Sequence, residues 1–189
     1  MHPYPGGFDV IGCDSHDVSF VNPMTSILHF AAPVQSLGLR VQPGWIDYNG
    51  HMNVGYYVLA FDTALDVPLS ALGLGAEDIA ELGGSCFTLE SHVRYLQELR
   101  EDAPLRITFQ LLDADSKRLH YFMRMHHAEE DYLAATIEEV NIYVDMKERR
   151  ARAFPENVRE RVEAMRMAHA ELGRPEGLCP SMGLHRKRA

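Results

Sequence analysis

Residues 45–53 read Trp-Ile-Asp-Tyr-Asn-Gly-His-Met-Asn and run straight into Val54-Gly-Tyr-Tyr-Val-Leu-Ala-Phe61. Asp47, Asn49, His51 and Asn53 thus crowd an acid, an imidazole and two amides around Gly50. The segment from Val54 onward has a different character. Val54, Tyr57, Val58, Phe61 and Leu65 recur at the three-and-four spacing of a helix with one buried face. Asn53 is suited to cap that helix, because its side chain can accept a bond from a first-turn amide. The polar cluster is therefore placed where a helix presents unpaired N–H groups and positive dipole character. Such a place can polarise a carbonyl or hold an anion.

The rest of the chain arranges itself around this segment. Residues 1–36, rich in Pro and Gly, are expected to be an irregular extension whose first 23 residues are dispensable for the core. The apolar patch Ile27–Val34 is expected to pack on the surface of the domain. Leu37–Val41 reads as a short strand. Pro68 cannot donate an N–H, so the long helix is expected to kink or end near Val67, with Ser70–Leu74 adding a turn closed by Gly73 or Gly75 and Ala76–Leu82 forming a second short helix. From Cys86 the periodicity changes to that of strands: Cys86–Leu96, Leu105–Leu112, Leu119–His127 and Leu133–Val144, joined by turns short enough to make neighbours antiparallel. A last helix over Glu156–Leu172 carries an apolar stripe of Val158, Val162, Met165 and Ala168 or His169, facing the sheet edge or a partner subunit. Residues 177–189 read as a disordered, solvated tail. One strand, a long helix and four antiparallel strands make an α+β plan.

Asp47-x-Asn49-x-His51-x-Asn53 followed by Tyr57 resembles the active-site motif of hotdog-fold acyl-CoA thioesterases of the 4-hydroxybenzoyl-CoA type and the related plant acyl-carrier-protein thioesterases. Val54 stands where that pattern has a second Asn. The resemblance spans about residues 37–147, which divides the chain into an extension (1–36), a hotdog domain (37–147) and a C-terminal helix with its tail (148–189). It implies a sheet wrapped around a central helix, and hydrolysis of an acyl-CoA thioester to free acid and CoA. Asp47 would be nucleophile or general base, Asn49 would orient it or the attacking water, and His51 would assist. The N–H groups of Val54, Gly55 or Tyr56 would hold the oxyanion, with Asn53 and Tyr57 beside them. The resemblance also implies a homodimer or dimer of dimers (a homotetramer), with sites at the dimer interface. No cofactor is expected beyond the CoA of the substrate, and no metal. A loop acid can equally cap a turn, and His51 can merely bond a backbone carbonyl.

Composition narrows the partners. The 189 residues are 46% hydrophobic and 24% charged, as in a soluble globular domain, and carry a net charge of −9. That balance argues against nucleic acid, and it obliges any CoA site to be a local basic patch. Arg94, Arg100, Arg118 and Arg124 are the candidates, each otherwise a surface charge. Cys13, Cys86 and Cys179 are far apart and odd in number, which fits a reducing cytoplasm. No apolar run approaches a membrane span, and the first residues lack the pattern of a secretory signal.

Further candidates lie in the strands. Glu90 and His92 share one face of theirs, either as an ion pair or solvent-facing groups, or as part of a site completed by a neighbouring subunit. His126, His127, Glu129, Glu130 and Asp131 read as a strand running into an acidic turn rather than a metal site. Trp45, Tyr48, Tyr56 and Tyr57 can line an aryl pocket or cage a quaternary ammonium. Residues Phe87–Leu99 resemble the thioesterases of carnitine breakdown, which act on betainyl-CoA. Two other readings remain. In a hotdog enoyl-CoA hydratase the His of an Asp-x-Asn-Pro-x-His loop would fall one residue later than His51. A non-catalytic acyl-CoA or acyl-carrier binding module would not need Asp47.

Overall fold

The computed structural model describes residues 28–184. Its elements run β1 (Val34–Arg40), a 3-10 turn (Pro43–Trp45), α1 (Val54–Leu72), α2 (Ile79–Leu82), β2 (Gly84–Tyr95), β3 (Pro104–Ala114), β4 (Arg118–His127), β5 (Leu133–Asp145), β6 (Arg150–Ala151) and α3 (Glu156–Ala170). The strands form one antiparallel sheet in the order β1-β3-β4-β5-β2, with the short β6 paired to β5. The α+β hotdog arrangement expected from the sequence is present.

The inner face of the sheet packs on α1. Tyr57, Ala60, Phe61, Ala64, Leu65 and Leu72 are buried along the helix. They meet Ile107, Phe109, Tyr121, Met123, Met125 and Ile137 from alternate positions of the strands. No helix among the described residues is long and apolar enough to cross a membrane.

Of the two outcomes expected at Pro68, a kink or an end, the end does not occur. The helix passes through it to Leu72 and stops at Gly73, in the left-handed region. Proline withdraws the N–H that would have served the carbonyl of Ala64 four residues earlier. The Ser36 hydroxyl of β1 donates to that carbonyl at 2.9 Å instead. The break is repaired from another strand, which a local reading cannot see. Ala76–Leu82 is helical only over Ile79–Leu82.

Within the described residues, the segments flanking the expected domain are more ordered than expected. β1 begins at Val34, ahead of the predicted Leu37, and Phe30 packs on the core. Ile27 and the preceding residues lie outside the described residues. Val158, Val162 and Met165 of α3 are buried in the same core, and α3 packs chiefly on β3. His169 closes the sheet edge where β1 runs out. Its Nδ1 accepts the N–H of Leu111 at 2.8 Å, and its Nε2 donates to the carbonyl of Ala31, also at 2.8 Å. Residues 177–184 are not a free tail. They cross the outer face of the sheet, where the amide of Cys179 donates to Glu138 at 2.6 Å and Met182 is buried. Residues 185–189 lie outside the described residues.

Candidate active site

The polar loop is a tight hairpin locked from three sides. Ile46 and Met52 form an antiparallel bridge, and the N–H of Asp47 donates to the carbonyl of His51 at 3.0 Å. Inside it the N–H of Gly50 donates to the Asp47 carbonyl at 3.0 Å. Gly50 has φ +83°, a conformation that glycine adopts without strain. The buried Met52 donates its N–H to the carbonyl of Leu99 at 2.7 Å, pinning the hairpin to the segment after β2. The N–H of Asn53 donates to the carbonyl of Trp45 at 2.8 Å, which fixes the entry into α1.

This scaffold aims the side chains. One carboxylate oxygen of Asp47 accepts the N–H of Asn49 at 2.8 Å. That bond orients the acid through one of its two oxygens. The His51 Nδ1 lies 3.4 Å from the Met52 carbonyl, too long for a strong tether. Asn53 caps α1 as expected: its Oδ1 accepts from Gly55 N–H at 3.0 Å, and its carbonyl accepts from Tyr56 N–H, also at 3.0 Å. Two of the three candidate oxyanion donors, those of Gly55 and Tyr56, are therefore occupied by Asn53. Val54 N–H is the first-turn donor that Asn53 leaves open.

A cleft of about 460 Å³ opens in front of the loop, lined by Asp47, Tyr48, His51, Val54, Tyr57, Tyr95 and Glu98 among others. Among the described residues no Lys or Arg lines it, whereas two carboxylates do. The Tyr57 hydroxyl accepts the N–H of Leu99 at 3.2 Å, and its ring meets that of Tyr95 edge-on with centroids 5.3 Å apart. Burial pushes both phenols above their ordinary pKa. Tyr95 is half-exposed, and its hydroxyl is 3.5 Å from the Val54 carbonyl. Trp45 and Tyr56 stack on each other with centroids 5.5 Å apart and do not line the cleft. Among the described residues no group of three His, Cys, Asp or Glu converges as metal ligands.

Other expected site residues are elsewhere. Glu90 and His92 share a face of β2, but it is the face opposite α1. His92 pairs with Glu138, whose side chain holds His120 at 2.8 Å and the Cys179 amide on the outer side. The neighbouring Ser91 points inward and donates to Glu139. Arg100 is paired with Glu98 at 3.0 Å. Arg118 is paired with Asp115 at 2.6 Å, and it starts β4 at the end remote from the cleft. Arg94 lies outside the cleft, beside Arg124 in a neighbouring cavity. Tyr95, Gln97 and Glu98 line the cleft although they stand outside the loop motif. Strand parity is the signal for Tyr95: Ser91, Val93 and Tyr95 alternate onto the inner face, next to the helix.

A polar loop at the N-terminus of a helix clasped by a curled antiparallel sheet is the arrangement of the hotdog fold, and the relatives that share this chain's sequence are named thioesterases. The chain belongs to the thioesterase-like superfamily, whose family model matches residues 41–162. It is 36% identical over 144 residues, 76% of this chain and 91% of the other, to a betainyl-CoA thioesterase of Pseudomonas aeruginosa. It is 33% identical over 159 residues, 84% of the chain, to an L-carnitine dehydrogenase/betainyl-CoA thioesterase of Rhizobium meliloti, and spans only 32% of that longer protein. A structure from Staphylococcus aureus, characterised in complex with CoA, superposes with a TM-score of 0.69 at 27% identity, covering 80% of this chain and 95% of that one.

Proposed function

We propose that the protein hydrolyses an acyl-CoA thioester at the Asp47 loop, and that the acyl group is the betainyl cation. The observation that carries this reading is the cleft at the start of α1, where Asp47, the Val54 N–H and a cation-compatible wall meet. Asp47 attacks the thioester carbonyl, breaking the C–S bond to expel CoA thiolate and leave a mixed anhydride that water opens to the free acid, or takes a proton from a water that attacks in its place and displaces the same thiolate. General-base help of this kind is worth about 10²–10⁴-fold. The Val54 N–H receives the oxyanion, reinforced by the positive end of α1, and one such donor is worth roughly 10²–10³-fold in other enzymes. Asn49 orients Asp47 through its backbone, and His51 stands at the lip of the cleft as a proton-transfer partner.

The acyl assignment rests on charge and aromaticity. Tyr48, Tyr57 and Tyr95 offer ring surface to a quaternary ammonium, and Asp47 supplies the negative charge of the cleft, the Glu98 carboxylate being paired with Arg100. The relatives named as betainyl-CoA thioesterases agree with this. A homodimer built along β2, the outermost strand on its side of the sheet, completes the proposal.

Steady-state release of CoA thiol from betainyl-, acetyl-, benzoyl- and palmitoyl-CoA tests the assignment. The expected result is the highest kcat/KM for betainyl-CoA, reduced in Tyr95→Leu more than the value for acetyl-CoA. Equal or better turnover of benzoyl- or palmitoyl-CoA would refute the choice of acyl group. Water addition to crotonyl-CoA with no thiol release would refute hydrolysis itself.

A further inference from the structure

On the outer face of the sheet, behind the cleft, a second cavity of about 350 Å³ is lined by Arg94, Leu96, Arg124, Leu133, Thr136 and Glu176. Three of these form one row across three strands: Arg94 of β2 pairs with Thr136 of β5, and Thr136 pairs with Arg124 of β4. Residues paired in this way share a face and stand one strand spacing apart, so the two arginines flank the threonine at roughly 5 Å of backbone separation each.

The row is unbalanced as it stands. Thr136 is buried, and its hydroxyl has no hydrogen-bond partner among the described residues. Neither Arg94 nor Arg124 is in an ion pair among the described residues, unlike Arg100, Arg106 and Arg118 on the same sheet and its loops. The half-buried Arg124 rests over the Phe122 ring at 5.0 Å. Burial depresses its pKa, the sign of a desolvated charge without a counterion. The C-terminal segment passes over Arg94. Gly177 of the crossing C-terminal segment has φ +83°, and a Cβ there would strike the Arg94 guanidinium. The glycine lets the backbone pass directly over the arginine. The carboxylate of Glu176 borders the cavity as an exposed group.

Two like charges beside an unused hydroxyl donor are unfavourable in isolation, and together they match a tetrahedral oxyanion. We infer that Arg94, Arg124 and Thr136 form a phosphoryl-binding site that holds a phosphate of the CoA moiety of the substrate. This rests on the acyl-CoA reading above. Leu96 lines both this cavity and the cleft, so the two share a wall. A thioester at Val54 with its long pantetheine arm turned around the end of β2 brings the nucleotide end to the arginines. The site also resolves the conflict between an acidic chain and an anionic substrate, because it is a local basic patch.

The test is calorimetric binding of free CoA and of pantetheine, which lacks the phosphates, to wild type, Arg94→Met, Arg124→Met and Thr136→Val. Loss of a charged hydrogen bond should raise the Kd for CoA about tenfold or more in each arginine variant, and leave pantetheine binding unchanged. Equal losses for CoA and pantetheine would mean that the row only supports the fold, and would overturn the proposal. Unchanged CoA affinity would overturn it too, even if inorganic phosphate bound at the arginines, since the site would then serve free phosphate. None of these readouts requires turnover. Thiol release from the N-acetylcysteamine thioester, which lacks the nucleotide, reports separately on the thioesterase reading.

Discussion

Asn53 holds the start of α1 with two groups at once, its side-chain oxygen on Gly55 N–H and its carbonyl on Tyr56 N–H. Asn53→Ala should therefore cost about 1 kcal/mol of stability, the usual worth of an N-cap. It should also lower kcat, because a frayed first turn misplaces the Val54 N–H. Chemical denaturation paired with steady-state kinetics checks both, and unchanged kcat would detach Val54 from the oxyanion. At this scale the sequence is informative where spacing sets geometry. It places Asp47, Asn49 and His51 on one loop, and Asn53 at the cap, because those relations span a few residues. The arginines are not separable in that way. Arg100 and Arg118 look as free as Arg94 and Arg124 in the sequence, and only the folded turns bring Glu98 and Asp115 to the first pair. Glu90 and His92 do share one face of their strand, but which face meets the helix depends on β2's register with β5, including the bulge between Thr88 and Glu90.

Among the elements, α1 and α3 depend on contacts that no local pattern announces. Pro68 survives inside α1 because Ser36 answers the Ala64 carbonyl. Ser36→Ala should cost about 1–3 kcal/mol, the penalty of an unpaired buried acceptor. The same change should cost markedly less in a Pro68→Ala background, where a restored N–H can reach Ala64. A double-mutant cycle by urea denaturation measures this coupling, and additivity would contradict it. For α3 the link is His169. Burial depresses its pKa, and both ring nitrogens are used in the neutral form, Nδ1 as acceptor and Nε2 as donor. The unfolded state then binds the proton first, so stability is fully present above the ordinary histidine pKa of about 6.5. It is lost as pH falls from there toward the lowered folded value. Thermal midpoints recorded from pH 8 to pH 5 should fall over that window, and fall less in His169→Gln. An identical slope in the variant would remove His169 as the cause. The five longer strands and both long helices are readable from period alone, whereas the two-residue β6 is not. The passage of α1 through Pro68 and the placement of residues 177–184 are not, because they are decided by Ser36 and Glu138, far away along the chain.

For the whole molecule, the sheet ends on β2, a strand of 12 residues with Leu89, Tyr95 and the adjoining Leu96 exposed. An open edge of this length and character invites pairing with another strand. The homodimer proposed along β2 predicts that Leu89→Lys shifts the protein to monomer in light scattering coupled to size exclusion, and lowers kcat/KM with it. A wild-type protein already monomeric at the assay concentration would contradict this. The function proposed for the molecule turns on Asp47 at the start of α1 carrying out thioester hydrolysis. The direct measurement is release of CoA thiol from betainyl-CoA by wild type and Asp47→Asn, a change that keeps the side-chain oxygen accepting from Asn49. Turnover by wild type is expected, with a fall in kcat of about 10²–10⁴-fold in the variant and an unchanged circular dichroism spectrum. A variant that retains wild-type kcat would contradict the role given to Asp47.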